Sequence, residues 1–270
     1  MSEHEKFDEF EDSRDLLDNP AQLRQRLLDK GYLFFRGFMD QQTMLDLRRE
    51  ILERAVKYGY AKPGDDLMEG LFAGGEYPTG LKFATSPLFK EIFHSERFNA
   101  LPQNESLIQL FTQLLEGEIV NHRRRLCRIT FPQSFTETTP AHQDYHYIQG
   151  TQETFTVWMS CGDCPPELGG LAVLEGSHKA GKIEHVQINR LVGIPDDKLN
   201  IPGTRWRSTH FKTGDVLLFH SLTVHKALDN RTTDHLRISM DFRYQRKNDA
   251  IDPASMENHW STLEALAEQK

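Results

Sequence analysis

The chain has 270 residues, 38% of them hydrophobic, enough to bury the core of one barrel or sandwich domain. Its net charge of -8 is uneven, because the first 18 residues hold eight acids (Glu3, Glu5, Asp8, Glu9, Glu11, Asp12, Asp15, Asp18) against Lys6 and Arg14. The nearly neutral remainder offers no basic footprint for nucleic acid, and no run of about 18 apolar residues suggests a membrane span.

Residues 1–18 read as an acidic, solvated and partly disordered tip, and 19–270 as a single domain. The start lacks the charged and apolar regions of a secretory leader. Cys127, Cys161 and Cys164 make a poor disulfide framework and suit a reducing compartment, so a cytoplasmic protein is expected.

Residues 19–117 read as a mainly helical cover. Asn19 followed by Pro20 predicts a capped helix closed at Gly31. Tyr32-Leu33-Phe34-Phe35 reads as a short buried strand. Asp40 can cap a second helix with an apolar stripe of Met44, Leu47, Ile51 and Ala55, stopping near Gly59. A third carries Leu107, Leu110, Phe111, Leu114 and Leu115 and is expected to end at Gly117.

From about 118 to 246 the texture changes to short segments separated by Gly, Pro and Asp. Phe155–Met159, Leu171–Leu174, Val216–Phe219 and Leu236–Arg243 predict an antiparallel sandwich or barrel, with 247–270 as a C-terminal tail. In the last segment Leu236, Ile238, Met240 and Phe242 share one face. Arg237 and Ser239 share the other, which can point inward.

A mononuclear non-haem iron site needs two imidazoles and one carboxylate on one side of the metal, with the opposite positions open. Read as an extended strand, His142-Gln143-Asp144-Tyr145-His146 puts His142, Asp144 and His146 on one face. The third ligand must then come from a distant strand, where His220 and His225 are the candidates. Arg237 follows His225 by 12 residues. A guanidinium on an inward face needs an anionic partner, either a protein carboxylate or a dicarboxylate ligand held in two-point geometry.

These residues resemble the phytanoyl-CoA dioxygenase group of 2-oxoglutarate oxygenases, from about Gly31 to Gln245. Four ordered blocks carry the resemblance. They are His142-Gln143-Asp144; Val157-Trp158-Met159-Ser160; Gly169 through His178; and Lys212-Thr213-Gly214-Asp215-Val216 onward through His225, Asn230, Arg237 and Ser239. Gly169 stands where the family usually has Asn, and Glu175 where it usually has Pro. The resemblance implies a double-stranded β-helix (a cupin-like jelly roll) under N-terminal helices. It implies Fe(II) on His142, Asp144 and His225, with 2-oxoglutarate as cosubstrate alongside O2. Arg237 and Ser239 would bind the far carboxylate of 2-oxoglutarate, and Gln143 and Trp158 would line its site. Lys82, in a helical lead-in, and Cys127 are further expected cosubstrate contacts. The implied reaction hydroxylates a small or medium organic substrate while 2-oxoglutarate and O2 become succinate and CO2. Asp144 speaks against a halogenase of this type, whose relatives put a small residue there.

Two other readings keep the sandwich: a non-catalytic metal- or ligand-binding jelly roll, and a cupin-like metal-dependent lyase or isomerase. Neither needs a dicarboxylate anchor. His146 reads as a pocket neighbour rather than a ligand, and the spacing to Asn230 and Arg237 favours His225 over His220. Cys161-Gly162-Asp163-Cys164 lacks a second cysteine pair and reads as a strand end and turn. Gly74-Gly75 lacks the ending of a phosphate loop. Residues 179–210, with Arg205 and Arg207 around Trp206, are a candidate lid over an anionic or flat substrate.

Overall fold

The structure is a computed structural model and describes residues 7–77, 79, 85–188 and 191–258. The helical cover forms where the capping chemistry places it. The Asn19 side chain accepts the Gln22 N–H, Pro20 fills the first turn, and α1 (Pro20–Lys30) closes at Gly31, whose φ of 77° suits glycine. Asp40 caps α2 (Gln41–Lys57), which buries Met44, Leu47, Ile51 and Ala55 as its periodicity predicts. Ser86 and Ser95 cap two shorter helices, Pro87–Phe93 and Glu96–Ala100. The helix Glu105–Leu115 ends earlier than expected, because Glu116 rather than Gly117 takes the left-handed position, at φ 53°.

The strands are β1 (Tyr32–Phe35), β2 (Ile119–Asn121), β3 (Leu126–Thr130), β4 (Phe155–Ser160), β5 (Leu171–Glu175), β6 (Val186–Ile188), β7 (Leu191–Gly193), β8 (Arg205–Arg207), β9 (Val216–His220), β10 (His225–Ala227) and β11 (Arg237–Arg246). The larger sheet runs β1-β9-β4-β11-β2, with β3 also paired to β11. A second sheet runs β10-β5-β8, and β6 with β7 makes a separate hairpin. Every pairing between these strands is antiparallel. The architecture is the expected jelly-roll sandwich under helices.

Alternation along the strands divides the interior. Leu33, Phe35, Val157, Met159, Leu218, Ile238, Met240 and Phe242 join the helices in the main core. Their neighbours Phe34, Trp158, Leu217 and Phe219 face the small sheet and pack with Leu171 and Val173. The outer face of the small sheet is covered in turn, since Leu174 packs with Ala141, Ile194, Val224 and Trp206.

The N-terminal segment departs from the sequence reading. Residues 7–18 are not a solvated tip. Asp8 bridges to Arg207, and Asp12 bridges to Phe34, so the segment straps an edge of the small sheet to an edge of the large one. Phe10 is buried between Tyr32, Phe34 and Phe211. The acids are matched by bases folded against them: Glu11 with Lys30 and Arg26, and Asp12 with Arg14. Net charge over a window could not show that Glu11 would meet Arg26 and Lys30 from outside that window.

Phe10→Ala should therefore destabilise the protein by about 3 kcal/mol, as emptying a buried aromatic site does. Denaturant unfolding measures this, and a free tip would give no change.

Candidate active site

The reading of residues 142–146 as one extended strand is corrected by the backbone. His142 makes a single antiparallel bridge to His225, with both N–H groups donating to the other's carbonyl at 2.9 and 3.0 Å. Asp144 then turns into helical geometry (φ -59°, ψ -32°) and opens the short helix Tyr145–Ile148. The chain bends, and that bend swings the carboxylate toward the two rings. The same turn carries His146 away from them, to stack on His185 with centroids 4.3 Å apart.

His142, Asp144 and His225 each offer a ligand atom, all within 4.8 Å of one another, and all three residues are buried. Nε2 of His142 lies 3.7 Å and Nε2 of His225 3.8 Å from Oδ1 of Asp144. The opposite ring nitrogens face carbonyls: His142 Nδ1 is 2.8 Å from Pro140 O, and His225 Nδ1 is 3.0 Å from Thr223 O. A carbonyl can only accept, so Nδ1 carries the hydrogen on each ring and Nε2 presents its lone pair inward. Burial, with His142 beside it, pushes the His225 pKa down to about 3, which keeps that ring neutral. Burial alone would raise the Asp144 pKa. The Arg243 guanidinium outweighs it and holds the carboxyl well below the usual range. Two inward-facing imidazole nitrogens and a carboxylate fit a divalent first-row metal. His220 is not part of the cluster; it lies at the end of β9 with Glu153 3.5 Å away.

Arg237 lines the same cavity, a small space of about 30 Å³. Its Nη1 donates to the carbonyls of Gly169, Gly170 and Leu228 at 2.8, 3.2 and 3.2 Å, and Nη2 donates to Thr130 Oγ1 at 2.8 Å. Among the described residues no carboxylate pairs with it, so the protein ion pair that was the bland alternative is not formed. Among the described residues, its Nε and the Ser239 hydroxyl are both buried without a partner. Four neutral acceptors orient the guanidinium but do not neutralise it, which leaves a buried cation and a spare hydroxyl for an anionic group. The Gly169 departure has a physical reason. Its φ is 69°, and a Cβ there would meet the carbonyl oxygens of Leu228 and Asp229 at 2.4 Å. Glu175 likewise accepts hydrogen bonds from Arg207 and the Tyr32 hydroxyl.

The other expected contacts divide. Trp158 lines the cavity. Gln143 does not: its amide donates to Gly181 O and Leu222 O and accepts the Ile183 N–H, so it pins backbone beside the site. Cys127 points the other way. In β3 its neighbour Arg128 lines the cavity, whereas Cys127 is wholly buried in the helix-side core. Lys82 lies outside the described residues. Arg205 and Arg207 are no lid, because both face Glu175, and Arg207 also donates to Glu9 O. Cys161 and Cys164 are buried, unpaired thiols whose pKa values burial pushes up to about 12 and 11, which suits neither metal nor redox chemistry. A larger cavity of about 450 Å³ lies across Ala227 and holds none of the three candidate ligands.

Sequence reasoning missed the polar groups Thr139, Thr156, Arg128, Asp241 and Arg243 on the cavity wall. Arg128 pairs with Asp241 at 3.1 Å, and Arg243 with Asp144 at 3.2 Å. The signal was present, since Asp241 and Arg243 continue the same alternating face of β11 as Arg237 and Ser239.

Comparison with known proteins agrees with this geometry. The 1-deoxypentalenic acid 11-beta-hydroxylase of Streptomyces arenae is 26% identical over 271 residues, covering 95% of this chain and 89% of that protein. The hydroxylase of the same name from Streptomyces exfoliatus is 26% identical over 274 residues, covering 94% and 89%. Among solved structures, the non-heme alpha ketoglutarate dependent carbocyclase SnoK from nogalamycin biosynthesis has a TM-score of 0.62 at 17% identity, covering 90% of each chain. The epimerase SnoN in complex with Fe3+, alpha ketoglutarate and nogalamycin RO has the same score and identity, covering 91% of this chain and 89% of its own. These two likenesses show the shared fold. The family profile of phytanoyl-CoA dioxygenase (PhyH) matches residues 27–239, and the chain belongs to that family.

Proposed function

We propose that this enzyme is an Fe(II)- and 2-oxoglutarate-dependent dioxygenase that hydroxylates a small or medium organic substrate. The observation that carries the reading is the buried, unneutralised guanidinium of Arg237 in the same cavity as His142, Asp144 and His225. A metal-binding sandwich without catalysis, or a lyase or isomerase, has no use for that cation. Hydroxylation is favoured over other outcomes because the two curated relatives, matched along nearly the whole chain, are named hydroxylases. The solved neighbours named as an epimerase and a carbocyclase make product identity part of the test.

When bound, iron with 2-oxoglutarate and O2 supplies the oxidising power, releasing succinate and CO2 as one oxygen atom enters the substrate. The chain supplies position and seclusion. His142 and His225 present Nε2, Asp144 presents one carboxylate oxygen, and Arg237 with Ser239 and Thr130 receives the far carboxylate of the cosubstrate. Trp158 and Phe219 wall the site, and the Phe219 ring lies 4.3 Å from that of His225. Such apolar walls limit water at the reacting centre. Among the described residues no helix is long and apolar enough to cross a membrane. The three unpaired cysteines support a reducing compartment, and we place the protein in the cytoplasm.

Anaerobic Fe(II) and 2-oxoglutarate should give a weak visible charge-transfer band, abolished by a chelator, and admitting oxygen should release succinate. Arg237→Ala removes charge-assisted hydrogen bonds and should weaken cosubstrate binding about 10- to 100-fold. Gly169→Ala should push the backbone at 228–229 aside and weaken it by roughly tenfold, ~1.4 kcal/mol. Iron binding with no band and no succinate would end the reading.

Proton uptake gives an independent test. Burial lowers the pKa of His122 to about 4, of His185 to about 4 and of His225 to about 3. In the unfolded chain these rings protonate near 6.5, as ordinary histidines do (~6.5). Between that pH and about 4 the unfolded state binds protons that the native state refuses, so metal-free stability should fall as pH falls through this window. Denaturant midpoints from pH 7 to 5 measure the slope, and His122→Gln should flatten it.

A further inference from the structure

We propose that Arg243 and Thr156 hold Asp144 as a one-oxygen ligand and so keep one metal position free beside a chelating cosubstrate. The inference rests on reading the triad as a metal centre. A six-coordinate metal on two imidazoles and one carboxylate oxygen has three positions left. A 2-oxo acid that chelates takes two of them and leaves one. If Asp144 supplied both its oxygens, the protein would take four positions and the cosubstrate the last two.

Nothing in an aspartate forbids that second contact, because rotation about its terminal torsion is soft. Here the carboxylate is divided between two environments. Oδ1 lies 3.7 and 3.8 Å from the two Nε2 atoms. Oδ2 receives the Thr156 hydroxyl, together with Arg243 Nε at 3.3 Å and Nη2 at 3.2 Å. Nη2 also lies 3.3 Å from Oδ1, so the guanidinium contacts both oxygens, with the additional Nε and Thr156 contacts made to Oδ2 alone. Thr156 and Arg243 are direct cross-strand partners in β4 and β11, which places hydroxyl and guanidinium side by side. Asp144 and Arg243 are both almost wholly buried, so bulk water does not compete for Oδ2. Both are positioning residues, acting through Asp144.

The test counts exchangeable waters on Mn(II) by proton relaxation of the Mn(II)-loaded protein, with and without 2-oxoglutarate. Wild type should show three waters alone and one with 2-oxoglutarate. Arg243→Met frees Oδ2 and removes a positive charge near the metal. It should bind Mn(II) no more weakly than wild type but show two waters alone and none with 2-oxoglutarate. Thr156→Val should move the same way to a smaller degree and carries the measurement if Arg243→Met does not fold. Arg243→Lys, which restores a donor and the charge, should recover part of the lost water. Wild-type relaxation in both Arg243→Met and Thr156→Val would overturn the inference. So would a tenfold or greater loss of Mn(II) affinity in Arg243→Met, since that would mean the clamp only holds the carboxylate within reach. Asp144→Ala is run alongside: retained Mn(II) affinity there would sink the metal-centre reading itself, whereas a loss there together with wild-type water counts in Arg243→Met and Thr156→Val would sink only the clamp.

Discussion

The two-residue alternation of β11 is the constraint on which the molecule turns. Ile238, Met240, Phe242 and Tyr244 drive one face into the helical layer. That burial fixes the strand's register, because a slip of one residue would send four apolar side chains into the cavity and four polar ones into the core. With the register fixed, Arg237, Asp241 and Arg243 have no alternative but the inner wall. The apolar half thus supplies the free energy that holds buried charges where they would not otherwise rest. The chemistry of the site is the by-product of a packing decision made on the opposite face of the same strand.

The charges on the inner wall then sort themselves. Arg128 meets Asp241 and Arg243 meets Asp144, leaving Arg237 without a carboxylate among the described residues. A buried cation with only carbonyls and a hydroxyl around it keeps Nη1 and part of Nη2 satisfied and has its charge partly spread by the carbonyl dipoles, while Nε stays open to an incoming anion. Gly169 is part of that arrangement: only a residue without Cβ lets its carbonyl close on Arg237 while the 228–229 backbone passes against it. The departure from the family pattern at this position adjusts the anchor and leaves the metal ligands alone.

Much of this was legible in the sequence, and what was not had definite causes. Helix starts could be read because capping is local chemistry: Asn19 and Asp40 act on N–H groups three residues away. The last strand could be read because alternation is a property of consecutive residues. The strap at residues 7–18 could not, because its partners Phe34, Trp206 and Arg207 are brought to it only by the tertiary fold. Gln143 and Cys127 were misplaced for a related reason. A motif gives identity and order, but the side a residue faces depends on where the chain bends, and the bend at Asp144 has no marker in His142-Gln143-Asp144. Arg243 lies on the same alternating face as Arg237 and Ser239, but nothing local in the sequence pairs it with Asp144, 99 residues away.

The reciprocal backbone pair between His142 and His225 has a consequence for how this site can change. The backbones that carry the two imidazoles are joined by main-chain hydrogen bonds, which substitutions other than proline leave in place. The carboxylate hangs from a separate helical turn. Replacing that one group by something small would leave the pairing of the two histidine backbones in place. The acid is nonetheless not free to go, because its loss would leave the Arg243 guanidinium buried without its carboxylate.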